Sequence, residues 1–254
     1  MSEKPTPLPM PFPDASSELE RLVAVTALLR APGGCPWDAE QTHESLVRYL
    51  TEETHELIDA IEAGSRDELL EELGDVLYQV VFHADIAAHT PGEEFTIDDV
   101  AAHMTAKMVG RHPHVFGDLD LSTAGEVENA WDSFKAAEKP TRTSVLDGVP
   151  LGMPALALAD KLLGKAAKLG VSAPEVPLDA PAADEAELGA QLLSVVGAAR
   201  ARGLDPERAL RTALRALRAE VTAAEVTAVE TDAAAGMTTD AAAEPATERR
   251  NIGG

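Results

Sequence analysis

Aromatic residues make up only 4% of this 254-residue chain, and cysteine occurs once. With so few rings, and with alanine and leucine dominant instead, helices packed on helices are expected rather than a β-rich fold. Cys35 alone cannot form an internal disulfide, which points to a reducing compartment and so to a cytoplasmic location. Positive charge is scarce too: 21 Lys and Arg stand against 44 Asp and Glu, for a formal net charge of −23. No basic stripe is available to displace counterions from a nucleic-acid backbone, so nucleic acid is excluded as a partner. A nucleotide is compatible with this charge where a divalent cation bridges the two. Long apolar runs are also missing. None reaches the roughly eighteen residues a membrane span needs, and "MSEKPTPLPMPFPD" has no apolar segment of signal-peptide length, so no membrane partner is expected.

Breakers and caps divide what is there. Residues 1–14 are proline-rich and read as an extended, disordered arm. Helical spacing predicts helices over 17–30, 43–63, from Ser65 or Asp67 to Ala88, 97–112 and 124–139, with "APGGCPWD", Gly64 and "HTPGEEF" as interruptions. Residues 15–140 therefore read as one all-α unit, a helical bundle. Beyond it come a connector with a helix, the linker "VSAPEVPLDAPAAD" and two helices at about 184–202 and 205–230, so that 141–231 forms a second segment. The stretch 232–254 is low in complexity and poor in large apolar residues, and is expected to be disordered. The second segment carries a repeat of the first: "EELGDVLYQVVFHADIA" aligns with "EAELGAQLLSVVGAARA", pairing Glu72 with Glu187, Gly74 with Gly189, Leu77 with Leu192 and Val81 with Val196. Asp75 becomes Ala190, and no copy of "EETHE" precedes it. The reading is a degenerate repeat that kept its packing and lost its chemistry.

The chemistry lies in "TEETHELIDAIEAGSRDELLEELGDVLYQVVFHADIA", residues 51–87. At about 100° per residue, Glu53 borders an apolar stripe of Leu46, Leu50, Leu57, Ile58 and Ile61, and Glu56 lies about 60° to its other side. Glu72 and Asp75 repeat the i, i+3 spacing on the next helix, flanked by Val76, Phe82, His83 and Ile86. Two helices joined by so short a turn run antiparallel, which lets the four carboxylates converge. Acids so placed repel one another and are costly to desolvate unless a cation lies between them, and Mg2+ suits hard oxygen ligands that also face phosphates.

"EETHE", then fifteen residues, then "ELGD" resembles the E-E-x-x-E and E-x-x-D signature of the MazG family, nucleoside triphosphate pyrophosphohydrolases of the all-α NTP-pyrophosphatase superfamily. "GGCPWDAEQTHESL", "RHPHVFGD", "AWDSFKAAEK" and "LDGVPLGMPAL" extend the similarity over about residues 19–170. The resemblance implies hydrolysis of nucleoside triphosphates to monophosphate and pyrophosphate with Mg2+ (or Mn2+), in nucleotide-pool cleaning or stress control. It implies Glu53, Glu56, Glu72 and Asp75 as metal ligands, and Lys107, Arg111 and Lys135 near the phosphates. Glu52 is not needed as a ligand; it orients or deprotonates the attacking water, or is a solvated surface acid. Trp37 and Trp131 either pack against a base or belong to the core. His112 and His114 are read as turn-packing residues, and Asp38 and Gln41 as site periphery. The helix pair is apolar nearly all round and must bury more than one face, and the resemblance also implies a homodimer with sites close to the interface. Two alternatives stay open: a related enzyme restricted to dUTP, dCTP or phosphoribosyl-ATP, and a non-catalytic helical interaction protein.

Overall fold

The computed structural model describes residues 13–138, 143–178 and 181–240. Among these residues there are α-helices and one short 3-10 turn and no strand, as the composition predicts: the chain is all-α. The helices are α1 (Glu18–Arg30), α2 (Pro36–Glu40), α3 (His43–Ala63), α4 (Arg66–Ala88), α5 (Ile97–Arg111), α6 (Pro113–Phe116), α7 (Ala124–Glu138), α8 (Ala155–Ala166), α9 (Glu185–Ala201) and α10 (Pro206–Asp240). They fall into two compact units, Met1–Lys139 and Pro140–Gly254.

Local chemistry accounts for the helix ends of the first unit. The Ser17 hydroxyl caps α1 by accepting the Glu20 N–H, and Thr42 and Ser45 form a reciprocal capping box at the start of α3. At its other end α3 closes on Gly64, whose φ of +75° is left-handed, and the Ser65 hydroxyl then accepts the Glu68 N–H at 3.3 Å to open α4. Only Gly64 and Ser65 separate the two helices, so α3 and α4 pack as an antiparallel hairpin, the best-packed pair in the unit. "APGGCPWD" does break α1, but Pro36 also starts the five-residue α2, which the sequence reading did not anticipate. Gly34 makes that turn possible. A Cβ there would lie 2.3 Å from the Leu28 carbonyl oxygen and 2.4 Å from that of Leu29.

The core of this unit gathers around Leu46, Phe82 and Ile86, with Tyr49 and Tyr78 packed against it. A partly buried ion pair borders it: Arg30 Nε meets Asp85 Oδ2 at 2.7 Å, both side chains 12% exposed, with the guanidinium over the Phe82 ring. On α4, Leu70, Leu73, Leu77 and Val80 form a stripe that stays exposed in the single chain.

In the second unit Leu163 and Val196 are buried, and Gly197 lets α9 approach Ala173. Arg200 lies over Gly164 and pairs with Asp160 at 2.9 Å. Asp184 caps α9 by accepting the Glu187 N–H, and the Glu187 carboxylate accepts the Ala183 N–H in return, both at 2.8 Å. The acid aligned with Glu72 is thus used for a helix cap. The last helix was expected to end near residue 230, yet α10 continues to Asp240 because "TDAAAGMTTD" contains no proline to stop it. Residues 1–12 of the expected arm and 241–254 of the expected tail lie outside the described residues. No helix among the described residues is long and apolar enough to cross a membrane.

Candidate metal and nucleotide site

The α3–α4 hairpin sets Glu53 and Glu56 against Glu72. One carboxylate oxygen from each lies within 4.8 Å of the others, with Glu53 and Glu72 half-buried and Glu56 exposed. Glu72 Oε2 is enclosed and has no hydrogen-bond partner. Burial raises the Glu53 carboxyl above its ordinary range, and the charges of Asp75, Glu56, Glu72 and Glu52 push it the same way. The Glu72 carboxyl is raised by desolvation first, then by Glu56 and Asp75. Asp75, half-buried one turn along α4, is felt electrostatically by both glutamates but is not one of the three whose oxygens converge. Glu52 points to solvent beside Glu53. Three converging acids, one with an enclosed oxygen that nothing in the chain satisfies, suit a hard divalent cation.

Trp37 stands on α2, 49% exposed, with its ring edge-on to Tyr49 at 5.7 Å. Its neighbour Asp38, read from sequence as periphery, is buried at 8% exposure. The Asp38 carbonyl accepts from Arg30 Nη1 at 2.7 Å, and its carboxylate accepts from the Tyr78 hydroxyl at 3.4 Å. Burial, then the Asp38 charge, pushes the Tyr78 phenol up to about 12, so it stays a donor. Gln41 Nε2 donates to the Trp37 carbonyl at 2.8 Å.

The cations expected at the phosphates lie on α5 and α7. Arg111 and Lys135 both sit over the Trp131 ring, at 5.9 and 5.6 Å, and His112 meets its edge at 5.4 Å. The carboxylate that Arg111 meets is Glu138, at 2.7 Å from Nε, and not a member of the α3–α4 cluster. Lys107 is partly buried one turn before Arg111. The structure therefore brings Arg111, Trp131 and Lys135 into one group and the three glutamates into another. His112 Nδ1 lies 2.6 Å from the Met108 carbonyl, in keeping with a turn-packing role.

Sequence reasoning passed over a second polar feature of the hairpin. His43 Nε2 lies 3.0 Å from Glu93 Oε2, and His43 Nδ1 lies 2.7 Å from His83 Nδ1 with the rings 4° from parallel. Neutral His43 that donates Nε2–H to Glu93 must accept at Nδ1, so His83 donates Nδ1–H and carries a bare lone pair on Nε2. That Nε2 is enclosed without a partner, as is Gln79 Oε1 one turn earlier. Glu72, Gln79 and His83 share one face of α4, and that spacing was the signal available in sequence.

Comparison with known proteins bears on this arrangement. Residues 41–116, which contain the whole α3–α4 hairpin, match the family described as the MazG nucleotide pyrophosphohydrolase domain. The chain is 41% identical over 219 residues to a nucleoside triphosphate pyrophosphohydrolase/pyrophosphatase MazG of Thermotoga maritima, covering 80% of this chain and 83% of that one. It is 46% identical over 169 residues to a nucleoside triphosphate pyrophosphohydrolase of Mycolicibacterium smegmatis, covering 66% of this chain and only 51% of that relative. An uncharacterized 26.1 kDa protein of Streptomyces cacaoi is 52% identical over 191 residues, covering 75% and 76% of the two chains.

Proposed function

We propose that this chain, which belongs to the MazG family, hydrolyses nucleoside triphosphates to monophosphate and pyrophosphate in a Mg2+-dependent reaction. The observation that carries this reading is the convergence of Glu53, Glu56 and Glu72 with an enclosed, unpartnered Glu72 oxygen. These three and Asp75 would hold the cation, Mg2+ or Mn2+. A divalent ion bound there supplies charge neutralisation at phosphate oxygens and lowers the pKa of a bound water. The protein's own part is positioning and electrostatics, on which phosphoryl transfer chiefly depends. Glu52, exposed beside Glu53, is proposed to orient or deprotonate a water, with a solvated surface acid as the alternative. Lys107, Arg111 and Lys135 are proposed to oppose the phosphate tail. Trp37, with a half-exposed ring, is the better candidate for a base, because Trp131 already carries two cations.

The second unit is proposed to be a degenerate repeat. Val196 is buried like its counterpart Val81, while Leu188, Leu192 and Val195 stay exposed like Leu73, Leu77 and Val80. The exposed stripe of α4 supports a homodimer, and a cytoplasmic role in nucleotide-pool cleaning or stress control agrees with the single cysteine. The test is a panel of nucleoside triphosphates with and without Mg2+, with nucleotide and phosphate products both identified. Monophosphate plus pyrophosphate, formed only with a divalent cation, is the expected result. No turnover of any member, or release of orthophosphate alone, would remove the proposal.

A further inference from the structure

Trp37 is half exposed, yet the short helix that carries it is held from beneath. A five-residue helix between Cys35 and Gln41 has little stability of its own, and isolated helices of that length do not persist in water. Something else keeps α2 in place, and the structure shows what. Arg30, at the end of α1, divides its guanidinium between Asp85 Oδ2 and the Asp38 carbonyl, 2.7 Å in each case. Tyr78, on α4, donates its hydroxyl to the carboxylate of the same Asp38. The residue beside Trp37 is thus tied through its backbone to α1 and through its side chain to α4, and it is buried.

The two anchors also fix where the Trp37 ring stands relative to the carboxylates. Tyr78 lies three residues after Asp75 on α4, and Tyr49, which the Trp37 ring meets edge-on, lies four residues before Glu53 on α3. At about 1.5 Å per residue each is roughly one helical turn from the cluster. A nucleoside triphosphate held by its phosphates at the carboxylates is long enough for its base to reach a surface one turn away. Tyr49 is itself packed on the Leu46, Phe82 and Ile86 core, so the surface behind Trp37 is rigid.

We propose that Arg30 and Tyr78 are positioning residues for nucleobase binding, locking α2 so that Trp37 stands as a preset stacking platform beside the carboxylate cluster. The proposal rests on the nucleotide-hydrolase reading above and adds the device that fixes the base. Because the clamp orders the loop before substrate arrives, base binding does not have to supply that ordering. Because stacking uses the π-face common to all bases, loss of the clamp weakens purine and pyrimidine nucleotides alike.

The test uses the full chain and the variants Tyr78→Phe, Arg30→Lys and Asp38→Asn. Tyr78→Phe removes only the hydroxyl and keeps the ring on Phe82. Arg30→Lys keeps the charge but replaces the two nitrogens that meet Asp85 and the Asp38 carbonyl with one, losing the fixed fork geometry. Asp38→Asn keeps an oxygen for Tyr78 and serves as the conservative control. KM and kcat are measured with purine and pyrimidine nucleoside triphosphates, and calorimetry with AMP and UMP reads nucleotide affinity without turnover. Electron paramagnetic resonance with Mn2+ alone reads the cluster. A KM and monophosphate Kd raised by about 3- to 10-fold in Tyr78→Phe and Arg30→Lys is expected, with kcat and Mn2+ affinity held and Asp38→Asn close to wild type. Unchanged KM and Kd in both clamp variants would overturn the proposal. So would a parallel loss of kcat, Mn2+ binding and nucleotide affinity, which marks a general structural role. If the wild type releases no pyrophosphate but Tyr78→Phe still weakens monophosphate binding, the hydrolase reading falls and the platform stands. If the wild type binds no nucleotide, both fall.

Discussion

Glu53 on α3 and Glu72 on α4 place carboxylate oxygens within 4.8 Å of each other across a hairpin whose connection is two residues long. Neither acid is fully solvated, and both carboxyls are shifted upward by desolvation and by each other's neighbours. A chain that only needed solubility would gain nothing from this arrangement, since it weakens the folded state at neutral pH without adding a contact.

Removing one of these carboxylates should therefore abolish turnover without harming the fold. Glu53→Gln and Glu72→Gln are expected to lower kcat/KM by about 100-fold or more, as loss of a positioning ligand does, while the far-ultraviolet circular dichroism stays helical. In the wild type Mg2+ or Mn2+ should raise the melting temperature, because an ion that binds only the folded state stabilises it. In Glu53→Gln that rise should shrink or vanish. A wild-type-like rate in either variant would remove the cluster from the site.

The same shifts fix a pH dependence for the metal-free protein. A carboxyl whose folded pKa lies above its unfolded value is disfavoured as the anion, so its destabilising effect is full above the folded pKa and disappears below the unfolded one. Glu53→Gln should be more stable than wild type at pH 7 in a chelator, and the difference should close as the pH falls towards about 4. Urea unfolding of both proteins across that range checks the sign. Added divalent cation should reverse the order at pH 7.

His83 should act in the opposite sense. Burial, and then His43, lower its pKa from 6.5, so the folded chain favours the neutral ring. Stability from this group is fully present above about pH 6.5 and is lost as the pH falls through the depressed folded value. Replacing it with asparagine should flatten the part of the stability profile between pH 7 and 5, although the variant also loses the bond to His43. A wild-type profile with unchanged slope in His83→Asn would show that another group carries the dependence.

Gly34→Ala should be among the more damaging single-methyl changes in the first unit. The new Cβ would meet two backbone carbonyl oxygens of α1 at 2.3 and 2.4 Å, and neither can rotate away as a side chain could. A loss of about 1–3 kcal/mol is expected from such overpacking. Because the same turn leads into α2, KM for nucleotides should rise as well. Gly74→Ala on α4, where the Cβ meets open space in the single chain, is the comparison that should cost nothing.

The stripe of Leu70, Leu73, Leu77 and Val80 gives the last expectation. Spaced at 3, 4 and 3 residues, these side chains form a helix seam suited to a second α4. Light scattering should give the mass of two chains at micromolar concentration. The double substitution of Leu73 and Leu77 by glutamate should give one. A monomeric wild type would leave the seam without this role.

The helices, their caps and the spacing of the acids are legible in the amino-acid order alone, because these depend on groups at most a few residues apart. Ser17, Thr42, Ser65 and Gly64 each end or begin a helix through a bond or dihedral that neighbouring residues complete. The i, i+3 pairs Glu53–Glu56 and Glu72–Asp75 share a helix side for the same reason. Helix-breaking residues concealed α2, since proline stops one helix and starts another with equal ease. Which side chains meet across those elements depends on how the helices pack. Packing brought Glu53, Glu56 and Glu72 together with Asp75 close enough to act on Glu53, paired Arg111 with Glu138, joined His43 to His83 forty positions on, and drew Asp38 under Arg30 and Tyr78. The Arg111 pair follows from the packing of α5 on α7, and the others from the register of α1, α3 and α4 against one another. That register is set by packing the whole Leu46–Phe82–Ile86 core at once, and no local window of sequence contains it.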